Sequence, residues 1–137
     1  MKDIPTLEEG AFDFATDLYE WAKQGDATSQ NDLGGLYCAA DILSEEGIPQ
    51  DYKKAFYWFT EAAERGDDMA QSNLGVMYAN GEGVPRDYVM AHMFFNIAGA
   101  NGNEIGADRM GMVAENMTPS QIEKAQDLAS EWMKSHQ

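Results

Sequence analysis

Apolar residues along this chain recur at the spacing of α-helices that pack on one side. From Tyr52 to Arg65 they fall at intervals of three and four residues, which places them on one helical face. The stripe predicted there consists of Ala55, Trp58, Phe59, Ala62 and Ala63. Similar stripes predict helices near residues 12–24 (Phe14, Leu18, Trp21, Ala22), 27–39 (Leu33, Gly34, Tyr37), 68–80 (Met69, Ala70, Leu74, Gly75, Tyr78), 87–100 (Ala91, Phe94, Phe95, Ala98) and 118–133 (Ile122, Ala125, Leu128, Ala129, Trp132). The pattern predicts an all-α chain.

Glycine and polar residues mark where these helices begin and end. Gly25-Asp26 and Gly66-Asp67 each join a glycine suited to a left-handed helix end with an aspartate suited to cap the next helix. Asp51 is predicted to cap the helix that follows it. Thr118-Pro119-Ser120-Gln121 has the pattern of a capping box with proline at the first helical position. The chain therefore alternates helices with short turns.

Two fixed spacings indicate that the helices form repeats. Ala63–Asp67 and Leu74–Tyr78 resemble segments 41 residues upstream, and Gly47–Tyr52 returns 36 residues downstream as Gly83–Tyr88. A period in this range is typical of stacked helical hairpins. The difference of five residues predicts an insertion after Tyr37.

These spacings divide the chain into repeat units within a single domain. We expect a flexible N-terminus at residues 1–10 and one repeat domain over residues 11–133. Its predicted parts are a capping helix at 11–25, repeat 1 at 26–66 with an insertion near 40–46, repeat 2 at 67–102, a partial repeat at 103–117 and a C-terminal capping helix at 118–136. A terminal helix with one polar face closes the open end of such an array.

Glycines inside three helices predict close packing between helices. Gly34, Gly75 and Gly111 each follow an apolar core residue. Glycine inside a helix costs about 1 kcal/mol relative to alanine. We interpret the three glycines as points where a neighbouring helix approaches too closely for a Cβ.

The repeated residues match a known pattern. Leu74-Gly75-x-x-Tyr78, Gly81-x-Gly83-Val84-Pro85-x-Asp87-Tyr88 and Ala91-x-x-Phe94-Phe95-x-x-Ala98 resemble the Sel1-like repeat, a relative of the tetratricopeptide repeat. The resemblance covers roughly residues 14–133, and the segment from Met117 is similar to a tail common on bacterial members. It implies a right-handed α/α superhelix of about seven antiparallel helices that binds partner proteins. The structural repeat positions that it implies are Leu33, Gly34, Tyr37, Trp58, Phe59, Gly66, Leu74, Gly75, Tyr78, Phe94, Phe95 and Gly102.

The charge of the chain narrows the classes of partner. Its 24 acidic and 9 basic residues give a formal charge of −15 at pH 7. Nucleic acids and anionic membranes attract clustered Lys and Arg, so the composition argues against both. A well-solvated surface explains the acidity, and attraction to a basic partner is the alternative.

Cysteine content and the N-terminal sequence bear on the compartment. Cys38 is the single cysteine, so the disulfide per repeat found in some exported relatives cannot form. The N-terminus lacks the apolar segment of a signal peptide, and no run of about 18 apolar residues occurs. We expect a cytoplasmic protein as the sequence stands, or a periplasmic or secreted one if a signal peptide has been removed.

No catalytic, metal-binding or cofactor-binding motif is recognisable in the sequence. The two histidines are interpreted as a structural or surface residue, His92, and a tail residue, His136. Ser120 and Ser130 have lysine four residues on, not three, and so do not match a Ser-x-x-Lys nucleophile. We predict a protein without enzymatic activity or cofactor. Hydrolysis of cell-wall or β-lactam substrates, by analogy with a few relatives, is the alternative.

The resemblance also implies where a partner binds. In tetratricopeptide-like arrays the first helix of each hairpin lines a concave face that holds a protein or peptide. The outward positions implied for that face are Asn31, Gly35, Cys38, Ser72, Val76, Asn80, Asp108, Met112 and Glu115. Their amides and small side chains favour an extended peptide, although Asn80 is equally interpretable as a helix C-cap before Gly81.

A second hypothesis places the contact on the insertion. Insertions in repeat proteins often carry the specific contact with a partner. The residues concerned are Ile42, Leu43, Glu45 and Glu46.

Overall fold

The computed structural model describes residues 3–11, 13–39 and 49–137. Within these ranges it contains seven α-helices and no strands, so the predicted all-α repeat fold is confirmed. The helices are α1 (Asp13–Lys23), α2 (Ala27–Cys38), α3 (Tyr52–Glu64), α4 (Asp68–Asn80), α5 (Tyr88–Ala100), α6 (Glu104–Ala114) and α7 (Pro119–Ser135). In this part of the chain no helix is both long and apolar enough to cross a membrane. The predicted insertion contacts, Ile42, Leu43, Glu45 and Glu46, lie outside the described residues.

The turns between helices repeat one arrangement, as the sequence predicted. Gly25 and Gly66 have φ values of 98° and 96°, which a glycine adopts without strain. The next residue then caps the following helix: Asp26 accepts a hydrogen bond from the Ser29 N–H, and Asp67 accepts one from the Ala70 N–H. Before α7 the predicted capping box between Thr118 and Gln121 is present. These turns bring successive helices back against one another.

The helices alternate between two layers. The first layer consists of α2, α4 and α6, and the second consists of α1, α3, α5 and α7. Within the first layer, Asn73 on α4 donates a hydrogen bond of 3.0 Å to Asn31 on α2. At the start of α6, Asn103 donates one of 3.0 Å to Asp68 on α4. In the second layer α7 packs on α5.

Aromatic rings fill the space between successive hairpins, as predicted. Tyr78 on α4 stacks on Phe94 of α5, with ring centroids 5.9 Å apart, and meets the edge of Phe56 on α3 at 5.7 Å. Trp58 is 1% exposed and packs edge-on against Tyr19 of α1. Burial of a tryptophan side chain contributes about 2–3 kcal/mol, so Trp58 contributes substantially to holding α1 and α3 together.

Two of the three helical glycines have the predicted role, and the third does not. A Cβ at Gly34 would lie 2.7 Å from the ring of Phe59, and one at Gly75 would lie 2.5 Å from the ring of Phe95. At Gly111 a Cβ would meet nothing within 4 Å, so that prediction is wrong. The reason is that α7 packs on α5 and makes no extensive contact with α6, so no ring reaches Gly111.

The predicted stripes of the terminal helices are only partly buried. In α1, Leu18 and Ala22 are buried with Ala15, but Phe14 and Trp21 are 60% and 57% exposed. The prediction is wrong for Phe14 and Trp21, because α2 is the one first-layer helix of the described chain that packs extensively on α1. In α7, Ala125 and Ala129 are buried, whereas Ile122, Leu128 and Trp132 are half-buried. The opposite face of α7 is exposed, as expected of a terminal helix.

Candidate partner-binding face

A depression lies between the first two helices of the first layer. It has a volume of about 250 Å³. Gly35 and Cys38 line it from α2, and Asn73 and Val76 line it from α4. A Cβ at Gly35 would meet nothing within 4 Å, so this glycine leaves the depression open instead of admitting another helix. The sequence placed Gly35, Cys38 and Val76 on one surface, and the structure brings them together.

Two more depressions lie between α4 and α6. The one near the end of α4 has a volume of about 280 Å³ and is lined by Val76, Ala79, Asn80, Phe95, Arg109, Met112 and Val113. The other, near the start of α4, has a volume of about 140 Å³ and is lined by Met69, Ser72, Asn73, Asn103, Ile105 and Arg109. Both therefore combine apolar side chains with one or two amides and the cation Arg109.

The three depressions adjoin. Val76 lines the depression between α2 and α4 and also the larger one between α4 and α6. Asn73 likewise belongs to two of them, and Arg109 belongs to both depressions beside α6. The result is one continuous uneven surface across α2, α4 and α6, which we call the first-layer face.

Most of the positions implied by the family resemblance lie on this face. Six of the nine line a depression, namely Gly35, Cys38, Ser72, Val76, Asn80 and Met112. Asn31 is 8% exposed and accepts the hydrogen bond from Asn73, so its environment is that of a packing residue. Asp108 and Glu115 are exposed but line none of the three depressions.

The C-cap interpretation of Asn80 is wrong by one residue. Asn80 is the last residue of α4, and the cap is Gly81, with a φ of 70°. The amide of Asn80 donates a hydrogen bond of 3.2 Å to Glu82 and lines the depression beside α6. Its side chain therefore remains part of the first-layer face.

Sequence reasoning missed several residues of this face, among them Met69, Ile105 and Arg109. Met69 was assigned to the buried stripe of α4, but it is 59% exposed, as is Ile105. Arg109 is the sole Lys or Arg in the sequences of α2, α4 and α6. The repeat spacing could have identified the two apolar residues. Met69 and Ile105 are 36 residues apart and so occupy the same repeat position. Since Met69 lies at the start of α4, turned toward α6, helical periodicity alone assigned it to the wrong face.

Described residues on either side of the predicted insertion lie at the first-layer face. Gln50 follows the undescribed segment and donates a hydrogen bond of 2.9 Å to the carbonyl of Cys38, which precedes it. Tyr52 and Glu82 then line the depression between α2 and α4.

Titratable groups near the face do not form a reactive centre in the described chain. Burial, followed by the charge of Glu82, raises the pKa of the Cys38 thiol to about 11. This thiol is therefore protonated near neutral pH and is a poor nucleophile. Among the described residues, no group of three or more His, Cys, Asp or Glu side chains could hold a metal ion. His92 is buried in α5, and His136 caps α7 and stacks on Trp132.

A further cavity of about 380 Å³ lies at the ends of the second-layer helices. Three of its polar lining residues, Gln71, Asn101 and His136, make hydrogen bonds within the protein. Asn101 donates a hydrogen bond of 2.8 Å to Gln71, and Gln71 donates one of 3.1 Å to the carbonyl of Ala63. His136 lies 2.7 Å from the carbonyl of Trp132.

Paired helices in two layers, with one open face across the first, define an α/α repeat protein of the kind that binds other proteins. The family model for the Sel1 repeat matches residues 27–67 and 68–103, which is more than half of the chain. The chain belongs to the Sel1 repeat family. Members of this family are generally protein-interaction modules, and the fold is typically a scaffold without enzymatic activity.

Individual relatives agree with this assignment. A sel1-like repeat-containing protein, L21, of Acanthamoeba polyphaga mimivirus is 44% identical over 61 residues, which cover 43% of this chain and 10% of that protein. The crystal structure of c5321, a protective antigen of uropathogenic Escherichia coli with an SLR fold, superposes with a TM-score of 0.81 at 28% identity. The superposition covers 89% of this chain and 25% of c5321. A Sel1 repeat protein from Oxalobacter formigenes gives a TM-score of 0.66 at 28% identity, with coverage of 91% and 89%. This chain thus spans only a small part of the length of L21 and of c5321.

Proposed function

We propose that this protein is an interaction module that binds an extended peptide segment of a partner protein on the first-layer face. The observation that carries the proposal is the continuity of the three depressions across α2, α4 and α6. An extended peptide requires a long, shallow surface, whereas a small molecule requires one enclosed pocket. The general role of Sel1 repeat proteins supports the same conclusion.

The side chains on the face indicate the chemistry of the peptide. Met69, Ile105 and Met112 are 59%, 59% and 64% exposed, and they offer apolar contact at both depressions beside α6. Methionine adapts its shape to different partners at low cost. We therefore expect the bound segment to present at least two apolar side chains toward α6.

Polar groups on the face would fix the position and orientation of the bound peptide. Asn73 uses its NH₂ group on Asn31, and within the described chain its carbonyl oxygen remains available to a backbone N–H of the peptide. Arg109 makes no ion pair in the described part of the chain and lies between the two apolar depressions. A guanidinium in this position would pair with a carboxylate of the peptide. The expected ligand is therefore an extended segment with apolar residues on either side of an acidic group.

Binding of this kind requires no catalytic step. The protonated Cys38 thiol contributes contact area to the depression between α2 and α4 and no nucleophile. The role is therefore that of an adaptor, in agreement with the partner binding that the family resemblance implies.

Selection from a random peptide library followed by affinity measurements tests the proposal. Val76→Glu and Met112→Glu introduce a charge into the face, at a partly buried and at an exposed position. Each is expected to weaken binding of the selected peptide on the order of tenfold or more, about 1.4 kcal/mol. Ser120→Glu adds the same charge on exposed α7 and serves as the matched control. Failure to enrich any peptide, or equal weakening by all three variants, would contradict the proposal.

A further inference from the structure

One face of α1 differs from the same face of the other second-layer helices. The repeat spacings of 41 and 36 residues align Phe14, Leu18 and Trp21 of α1 with Ala55, Phe59 and Ala62 of α3 and with Ala91, Phe95 and Ala98 of α5. All six residues of α3 and α5 in this set are at most 3% exposed. Phe14 and Trp21 are 60% and 57% exposed. In α1 the two small flanking residues have been replaced by aromatic residues that remain open to solvent.

The interior copies show what normally covers this face. The ring of Phe95 in α5 lies against Gly75 of the preceding helix α4, and a Cβ at Gly106 of the following helix α6 would lie 2.8 Å from the Cβ of Ala98. The face of α5 therefore lies between two first-layer helices. On α1 only α2 packs extensively among the described first-layer helices. One side of the groove beside α1 is consequently unoccupied by any described helix.

The aromatic residues determine what could fit there. Alanine at the flanking positions allows a first-layer helix to approach α5 closely, with its glycine against the central ring. Phe14 and Trp21 would hold such a helix several ångströms farther away. The face is therefore shaped for a helix that lies across two large rings with its own apolar side chains between them, in the manner of helix-in-groove recognition.

The charge around this face indicates the sign of the charge expected on the partner. Residues 3–22 contain six Asp or Glu residues and no Lys or Arg, and one of the six, Glu8, pairs with Lys54 of α3 at 2.6 Å. Asp13, Asp17 and Glu20 are exposed on α1 itself, and Lys23, the cation at its end, pairs with Glu20 at 3.2 Å. A second copy of this chain would bring another −15 charge to the contact, so self-association through this face is disfavoured.

We propose that the Phe14–Trp21 face of α1 is a second docking surface, which binds a basic amphipathic helix of a partner protein. The apolar stripe of that helix packs on Phe14 and Trp21. Its Lys or Arg residues lie beside Asp13, Asp17 and Glu20. The surface is separate from the first-layer face, so the protein has two independent sites of different chemistry.

A model peptide tests the proposal directly. The probe is a synthetic helix of Leu and Lys with its leucines at intervals of three and four residues, and its affinity is measured by calorimetry. The double variant Phe14→Ser/Trp21→Ser is expected to bind on the order of tenfold more weakly than wild type. Met69→Ser/Ile105→Ser, which removes as many exposed apolar residues from the first-layer face, is the matched control and is expected to bind as wild type does. Circular dichroism melts confirm that both variants fold.

Two further measurements separate the alternatives. A peptide of the same composition with the leucines scrambled is expected to bind on the order of tenfold more weakly, and peptide binding is expected to protect Trp21 from acrylamide quenching. Equal affinity of the Phe14→Ser/Trp21→Ser variant, or of the scrambled peptide, would overturn the proposal, because binding would then be charge attraction alone. Sedimentation that showed a wild-type dimer lost in the same variant would also overturn it, in favour of a second copy as the occupant.

Discussion

At the scale of single residues, glycine and aspartate determine how closely the helices approach and where they begin. Gly34 and Gly75 admit the rings of Phe59 and Phe95 against the helix backbone. Local chemistry of this type is readable from sequence, because a cap or a close approach depends on one residue and its repeat partner. The exception is Gly111, whose surroundings depend on the path of α7 and not on any residue near it.

Alanine substitution at two glycines is expected to change stability in opposite directions. Gly75→Ala places a Cβ 2.5 Å from the buried ring of Phe95, and overpacking of this type costs about 1–3 kcal/mol, more than the gain in helix propensity. Gly111→Ala meets nothing within 4 Å and removes the entropic cost of glycine, so it is expected to stabilise by about 0.5–1 kcal/mol. Urea unfolding measures both free energies, and a stabilised Gly75→Ala variant would refute the close approach.

At the scale of elements, equivalent helices carry different residues at equivalent positions. His92 of α5 aligns with Phe56 of α3 at the spacing of 36 residues. His92 is 3% exposed, and its Nδ1 has no hydrogen-bond partner among the described residues. Periodicity predicts which face of a helix is apolar, but whether a neighbour covers that face depends on the whole array. For this reason Phe14 and Trp21 were predicted to be buried, and Met69 was predicted on the wrong side of α4.

The stability of the protein is expected to depend on His92 in acid. Burial lowers the pKa of His92 in the folded protein, so the neutral form is favoured there. As pH falls through the ordinary value near 6.5, the unfolded chain binds a proton more readily than the folded chain, and stability is lost until the folded pKa is reached. His92→Phe, which copies the residue of α3, is expected to lose less unfolding free energy than wild type between about pH 7 and about pH 5. Equal losses in the two proteins would show that His92 is not responsible.

At the scale of the whole molecule, the acidic array presents two apolar surfaces of different character. The first-layer face combines Met69, Ile105 and Met112 with the cation Arg109, whereas the face of α1 combines two aromatic rings with carboxylates. The family resemblance predicted the first of these surfaces through Gly35, Val76 and Met112. It gave no indication of Arg109, because that residue is not among the nine positions that it implies. It gave none of the face of α1 either, because the equivalent face is buried in α3 and α5, whereas on α1 it is largely exposed.

Amide chemical-shift mapping by nuclear magnetic resonance locates the bound peptide on the protein. The labelled protein is titrated with the strongest peptide from the library selection. The largest shifts are expected at Gly35, Val76 and Met112, with little change on α1 or α7. Shifts concentrated on α1, or on the cavity beside Trp132 and His136, would contradict peptide binding at the first-layer face.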